Sequence, residues 1–440
     1  MHSRRLSLLA FAVVFSTATA ALADNWPNWR GARFDGSAGG TGYPAEFSID
    51  KGVNWKTQLP GEGASTPIVW GNAIFLTSVD EEKDAVVGIC IDGRSGKIMW
   101  SEPLGEGIRI DERSTYAGAS AVTDGETVFF FSGNGDLAAF DFNGNQKWHR
   151  NIETDYGDFA FQWTFSSSPQ LWNGLLYLQV LQRDFPVNGR GNTDGPIKSF
   201  LLAMDPQTGK TKWQHIRPAE AVKESLEAFS TPIPMMHDGV ESLVIAGGDC
   251  LTGHDPATGN EIWRWGTYNR ERISHWRLVP SPVHGAGTIL VCAPKGDPIY
   301  AIEAGGKGKL LDTAKRWVSD GKEVTADVPT PLYYSGYFYV LNGRNKYLSC
   351  VHPTTGNVLW SRRIDAKMKL ESSPTGVDDK IYFMSHLGEV FVYSAGPEGG
   401  ELLNQTTFAS TQSVNIRASI VPTNGTLLIR TDDQLFQVGN

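Results

Sequence analysis

The chain has 440 residues, with 39 Lys and Arg against 48 Asp and Glu, and a formal charge of −9 at pH 7. An acidic chain with no basic run excludes a nucleic-acid partner, because phosphate backbones are held by clustered Lys and Arg. Beyond the N-terminus no stretch is long and apolar enough to span a bilayer, which leaves no transmembrane segment.

Residues 1–23 read as a cleaved signal peptide. Arg4 and Arg5 supply the charged start, Leu6 to Thr19 the short apolar stretch, and Ala21-Leu22-Ala23 the small-x-small cleavage site. Ser3-Arg4-Arg5 matches a twin-arginine signal only in part, so general secretory (Sec) export is expected over Tat. The mature chain then starts at Asp24, has about 417 residues and carries about −11. No Cys lies near the cleavage site, so no lipid anchor is expected there. These features predict a periplasmic or secreted protein.

The remainder, residues 24–440, is dominated by self-similarity and reads as a single domain. A small-small-Pro triplet recurs as Ser65-Thr66-Pro67, Ser167-Ser168-Pro169, Ser230-Thr231-Pro232, Pro280-Ser281-Pro282, Pro329-Thr330-Pro331 and Ser372-Ser373-Pro374. It recurs twice without the proline, as Ala119-Ser120-Ala121 and Ala418-Ser419-Ile420. The eight third positions are spaced 54, 48, 63, 50, 49, 43 and 46 residues apart, a period that marks a repeat architecture. A second phrase runs in phase with it. Asp205-Pro206-Gln207-Thr208-Gly209-Lys210 leads to Trp213, Asp255-Pro256-Ala257-Thr258-Gly259 to Trp263, and Pro353-Thr354-Thr355-Gly356 to Trp360. Shorter versions lead to Trp100 and Trp148, and Leu311 and Leu403 stand in the slot in the fifth and seventh repeats.

Each repeat holds four short β-rich runs with Gly, Asn and Asp at the turns. One such sheet cannot bury its faces alone, whereas sheets packed around an axis can, leaving only short edges. The fold class predicted is therefore all-β: an eight-bladed β-propeller of four-stranded antiparallel blades. The last repeat lacks a closing Trp strand, and Val53-Asn54-Trp55-Lys56-Thr57 supplies one from the N-terminus. Cys90, Cys250, Cys292 and Cys350 sit inside apolar runs and read as buried thiols, with a Cys250–Cys292 bridge between neighbouring blades as the alternative. With no Cys-x-x-Cys pair there is no structural zinc signature.

The Asp-x-x-Thr-Gly-Lys-x-x-Trp phrase resembles the PQQ-like (quinoprotein-type) repeat, and the resemblance covers nearly the whole mature chain. Asn25-Trp26-Pro27-Asn28-Trp29-Arg30-Gly31 and Ser274-His275-Trp276-Arg277-Leu278 are similar to bacterial secreted propellers of that family. Two families share the repeat. The resemblance to PQQ-dependent dehydrogenases implies a calcium-held quinone in the central funnel; the resemblance to BamB implies an outer-membrane assembly scaffold with protein partners and no quinone. The chain lacks the adjacent Cys pair of many alcohol-oxidising quinoproteins, a Cys-x-x-Cys-His haem site and the BamB lipoprotein Cys.

In a propeller the loops entering the inner strands converge near the axis. Counting five residues back from each anchor selects Glu62, Tyr116, Thr164, Glu227, Arg277, Ala326, Lys369 and Asn415. The same loops add Arg113, Trp163, His275, Asp327, Glu371 and Arg417. The mouth expected of a ligand or partner site is thus Tyr116, Trp163, Glu227, His275, Trp276, Arg277, Asp327, Lys369, Glu371 and Arg417. Arg277 is the residue suited to a carboxylate or phosphate, with Trp276 as a flat platform; an interblade ion pair to Glu227 or Asp327 is the alternative. The insertion from Gln182 to Lys198, with Arg183 and Arg190, is either a binding loop or simply a mobile one.

No nucleophile–base arrangement is visible and no catalytic residue or metal set is assigned. The function read from the sequence is a binding or scaffold protein of the cell envelope, monomeric, taking a protein or small-molecule ligand at the propeller face. The alternative is a PQQ-dependent oxidoreductase. In that case Glu227, Asp327 and Asn415 have the types a calcium shell needs and must lie within about 10 Å of one another.

Overall fold

The computed structural model describes residues 25–408 and 415–439, so the signal-peptide reading of residues 1–23 lies outside the described residues. Eight sheets follow one another along the chain, seven of four antiparallel strands and one with a fifth strand added in parallel. Blade 1 runs from Ile68–Trp70 to Ile98–Pro103, blade 2 from Val122–Thr123 to Gln146–Asn151, blade 3 from Gln170–Trp172 to Thr211–Ile216 and blade 4 from Ile233–His237 to Glu261–Gly266. Blade 5 runs from Val283–Gly285 to Lys315–Val318, blade 6 from Leu332–Tyr334 to Val358–Arg363 and blade 7 from Thr375–Val377 to Leu402–Thr407. Blade 8 combines Val421–Thr423, Thr426–Arg430 and Gln434–Val438 with Val53–Gln58, which pairs antiparallel with Gln434–Val438. The N-terminal strand therefore completes the last blade, as the repeat pattern predicts.

Burial explains why the strands read as they do. The middle strands have both faces covered by neighbouring blades, so Thr127–Phe131 is buried throughout and reads as one apolar run. The outermost strands face solvent on one side, and Thr211–Ile216 alternates half-buried with exposed positions. The cores lie between blades: one cluster joins Tyr177 of blade 3 with Val244 and Leu251 of blade 4 and Ile289 of blade 5. Each such side chain, fully buried, contributes about 1.5–3 kcal/mol.

The Asp-x-x-Thr-Gly phrase has a mechanical meaning. Asp205 Oδ1 accepts the Gln207 and Thr208 backbone N–H groups at 2.9 and 3.1 Å, which tightens the turn before the outer strand. Gly209 then adopts φ +68°, where a Cβ would stand 2.7 Å from the Trp148 ring of the preceding blade. Trp148 Nε1 donates to the Pro206 carbonyl of the same turn at 2.8 Å. Trp55, Trp100, Trp213, Trp317 and Trp360 repeat this contact at 2.8–3.1 Å, each with the turn of the next blade. Two slots need correction. Leu311 is 72% exposed, and Trp317 fills the fifth slot, because an insertion carries Gly308–Lys309 out to pair with blade 4. In blade 7 Leu403 lies at a β-bulge and Asn404 holds the slot, its amide donating to Phe47 O at 2.9 Å. All four cysteines are free and buried, so the Cys250–Cys292 bridge does not form.

Two features shape the axis. The first is a ring made by the central residue of each anchor. The backbone N–H of Thr66 donates to Ser120 Oγ, Ser120 to Ser168, Ser168 to Thr231, Thr231 to Ser281, Ser281 to Thr330, and Thr330 to Ser373, at 2.8–3.1 Å. Ser419 N–H donates to Thr66 Oγ1 at 3.0 Å, which joins the last anchor to the first and leaves only the step from Ser373 to Ser419 without such a bond. The second is the segment before the first blade. Trp26 bridges Val69 of blade 1, Pro27 O accepts from Thr123 of blade 2, Asp35 O accepts from Tyr333 of blade 6, and Ser37 bridges Gly376 of blade 7. The segment thus crosses the axis. Beneath it Arg30, 1% exposed, donates to Pro374 O, Asp35 O and Pro331 O at 3.0–3.1 Å.

Candidate functional site

An axial funnel of about 440 Å³ opens on the face opposite the N-terminal segment, with Trp29 among its walls. That volume lies within the range of small-molecule pockets. Deep in it stand the ring residues Thr66, Ser120, Ser168, Thr231, Thr330 and Ser373. Higher up are the loops that enter the inner strands, held there by the same hydrogen-bonded ring.

Of the mouth residues expected from the sequence, the funnel brings together Trp163, Arg277, Asp327, Lys369, Glu371 and Arg417, with Arg113 and Thr164 from the same loops. Arg113 and Arg277 lie 5.3 and 5.9 Å from the Trp163 ring, so one indole steadies two guanidinium groups by cation–π contact. Arg277 pairs with Glu224, a partner the repeat count did not select. Asp327 accepts the Lys295 backbone N–H at 2.8 Å. On the other side Glu371 is ringed by Lys369 Nζ at 2.7 Å, Arg417 Nε at 2.8 Å and His386 Nε2 at 2.8 Å. Burial alone would raise the Glu371 carboxyl, but these three groups outweigh it and hold it well below the usual carboxylate range.

The remaining expected residues lie elsewhere. Trp276 packs on the core shared by blades 3 to 5, and its N–H donates to Ser225 Oγ at 2.8 Å; the platform for Arg277 is Trp163. His275 is exposed. Tyr116 is half-buried against the core between blades 1 and 2. Glu227 is fully buried, paired with Arg183 of the insertion and accepting Gln162 N–H at 3.2 Å; burial pushes its carboxyl up to about 7 against the pull of Arg183. Glu62 and Asn415 are absent from the funnel lining, and Ala326 is buried. The insertion is thus tied to the mouth, with Arg190 Nη2 donating to Gln162 O at 2.5 Å.

The sequence count missed Lys295 and Arg344. Both lie in the funnel lining but come from loops after the second strand of blades 5 and 6, so a count back from the anchors passes them by. With them the lining carries six cations, Arg113, Arg277, Lys295, Arg344, Lys369 and Arg417, against two acids, Asp327 and Glu371.

A calcium-held quinone requires several acidic or amide oxygens converging on one point. Glu227 and Asn415 do not share the funnel wall with Asp327. Glu371 already serves three cationic or imidazole partners. Among the described residues no group of three His, Cys, Asp or Glu is disposed to hold a metal. The residues present do not fit a calcium shell.

The propeller with this funnel matches known proteins along most of its length. The family model described as outer membrane protein assembly factor BamB matches residues 42–177, 160–327 and 247–440. No curated protein sequence matches the chain. Among solved structures, BamB from Moraxella catarrhalis superposes with a TM-score of 0.58 at 12% identity, covering 88% of this chain and 99% of that one. Quinohemoprotein alcohol dehydrogenase from Comamonas testosteroni gives 0.60 at 13%, covering 96% and 82%. A europium-containing methanol dehydrogenase gives 0.66 at 10%, covering 92% and 89%. At such identities the likeness is one of fold, and fold does not carry activity with it. The repeat phrase, the eight closed blades and the three overlapping matches together place this chain in the PQQ-like β-propeller family, that of the outer membrane protein assembly factor BamB.

Proposed function

We propose that this protein is a ligand-binding propeller of the bacterial cell envelope, exported by its N-terminal signal, whose site is the axial funnel. The observation that carries the reading is the funnel's construction. It is covered at one end by the segment around Trp29 and Arg30, open at the other, and walled by side chains fixed in cation–π and ion-pair contacts. A preformed cup with convergent polar groups is the usual form of a small-molecule site. An envelope location agrees with the name of the matching family, which assembles outer membrane proteins. Glu227 and Glu371 are both committed to ion pairs with neighbouring cations, which favours binding over chemistry.

A thermal-shift panel on the mature protein tests this. Its arms are organic acids, neutral sugars, polyamines, and PQQ with calcium, each repeated on Ser166→Trp, which fills the funnel. At least one arm is expected to raise Tm in the native protein and not in the variant. No shift in any arm overturns the reading. A one-to-one PQQ complex with dye-linked alcohol oxidation replaces it with the oxidoreductase alternative.

A further inference from the structure

We infer that the funnel's ligand is a small organic polyanion, its carboxylate or phosphate groups held between the cationic rim and the ring of anchor hydroxyls. The inference rests on the reading of the funnel as a ligand site and names the chemistry of what enters it.

The first observation is charge. Six cations against two acids line one cavity of a chain whose overall formal charge is −9. A cleft with low-dielectric walls concentrates the field of such groups on whatever enters it. Several of these cations are uncommitted. Lys295 Nζ and the Arg344 guanidinium make no hydrogen bond or ion pair among the described residues. Arg113 Nε and Trp163 Nε1 are buried donors without a partner. Burial and the neighbouring Arg277 pull the Lys295 amine below its ordinary value, against the opposing attraction of Asp327 and Glu224.

The second observation is independent of charge. Every ring hydroxyl except that of Ser419 accepts a backbone N–H, which occupies a lone pair and leaves the O–H to be given. None of the eight gives it to an acceptor among the described residues. By contrast Ser65, Ser167, Ser230 and Ser372, one position earlier, donate to carbonyls of the sheet. A circle of unspent donors below a rim that holds two unpaired cations calls for a ligand rich in acceptor oxygens. A metal or an amine would meet the unpaired Lys295 and Arg344, and a neutral polyol would leave those two uncompensated. Phe229, Val279, Val328 and Leu370 fill the space between, suited to a carbon skeleton that joins the acidic groups.

Isothermal titration calorimetry on the mature protein at near-physiological salt tests the inference, with citrate and inorganic pyrophosphate as probes and sorbitol and spermidine as neutral and cationic controls. Lys295→Met and Arg344→Met each remove a cation whose side chain makes no hydrogen bond or ion pair among the described residues. Lys307→Met, an exposed change outside the funnel, removes the same charge. One-to-one binding of citrate or pyrophosphate is expected, weakened about tenfold or more by either funnel variant and unchanged by Lys307→Met. Equal affinity in the funnel variants, or equal weakening by Lys307→Met, overturns it. Saturable binding of sorbitol or spermidine without either acid overturns this inference and leaves the ligand-site reading standing; silence from all four probes overturns it too.

Discussion

The backbone N–H of Ser419 donates to Thr66 Oγ1 at 3.0 Å, and with that bond the last anchor of the chain meets the first. The ring it joins is open at one step, between Ser373 and Ser419. Ser419 Oγ is itself buried and takes no hydrogen bond, so the circuit has one idle hydroxyl among its eight.

That asymmetry gives a matched pair of variants. Ser168→Ala removes the acceptor of the Ser120 N–H and leaves a buried donor unpaired, a loss of about 1–3 kcal/mol. Ser419→Ala removes an oxygen that no group uses and is expected to change stability by less than about 0.5 kcal/mol. Denaturant unfolding of the two side by side checks the contrast, and equal losses would refute the ring as a source of stability.

The interblade tryptophans predict a second contrast. Gly174 and Gly209 both have positive φ, +76° and +68°, but a Cβ at Gly174 meets nothing within 4 Å while one at Gly209 meets Trp148 at 2.7 Å. Gly174→Ala is expected to cost about 1 kcal/mol for its backbone alone. Gly209→Ala adds displacement of the indole, about 1–3 kcal/mol more, with a change in tryptophan fluorescence. If both lose the same amount, the turn and the indole are not coupled.

Arg30 predicts the behaviour of the N-terminal segment. Arg30→Met strips three buried carbonyls of a charged donor, about 2–4 kcal/mol. Lysine cannot restore it, because one ammonium lacks the planar fork that reaches Pro331 and Pro374 together. Hydrogen exchange should quicken in residues 25–40 before it does in the blade interiors. Unchanged protection there would show that the segment is held by other contacts.

Glu371 predicts a pH dependence. Its folded-state pKa is depressed below the unfolded value near 4.3, so its stabilisation is complete above that pH and is lost as pH falls through the folded pKa. Glu371→Gln is expected to lose roughly 3 kcal/mol at pH 7. The gap to the native protein should narrow steadily below pH 4.3. A gap that stays constant down to pH 2 would place the carboxylate outside the network of Lys369, Arg417 and His386.

The propeller was legible because its determinants are local and repeated. Ser168, Gly209 and Trp213 each do one mechanical task, and eight anchors with the closing phrase in phase outweigh any single ambiguous residue. Trp317 was missed by the same logic, since an insertion moved the slot away from the register that Leu311 occupies. The site was legible only in part. A count along the chain found Arg277, Lys369 and Arg417, whose loops enter inner strands in phase. It could not find Lys295 and Arg344, which reach the axis from different loops. Nor could it separate Glu227 from Asp327: both precede an anchor, yet Glu227 is drawn out of the funnel by Arg183, a residue more than forty positions away and supplied by an insertion that breaks the repeat.

The pairing of Val53–Gln58 with Gln434–Val438 also sets an order of events. Seven sheets can assemble as the polypeptide emerges, but the first strand made must wait for the last. For that whole interval its unsatisfied edge is open to any other strand, including the same strand of a neighbouring copy. The clasp that makes the finished ring endless is, during synthesis, the point where two nascent chains would most readily interlock.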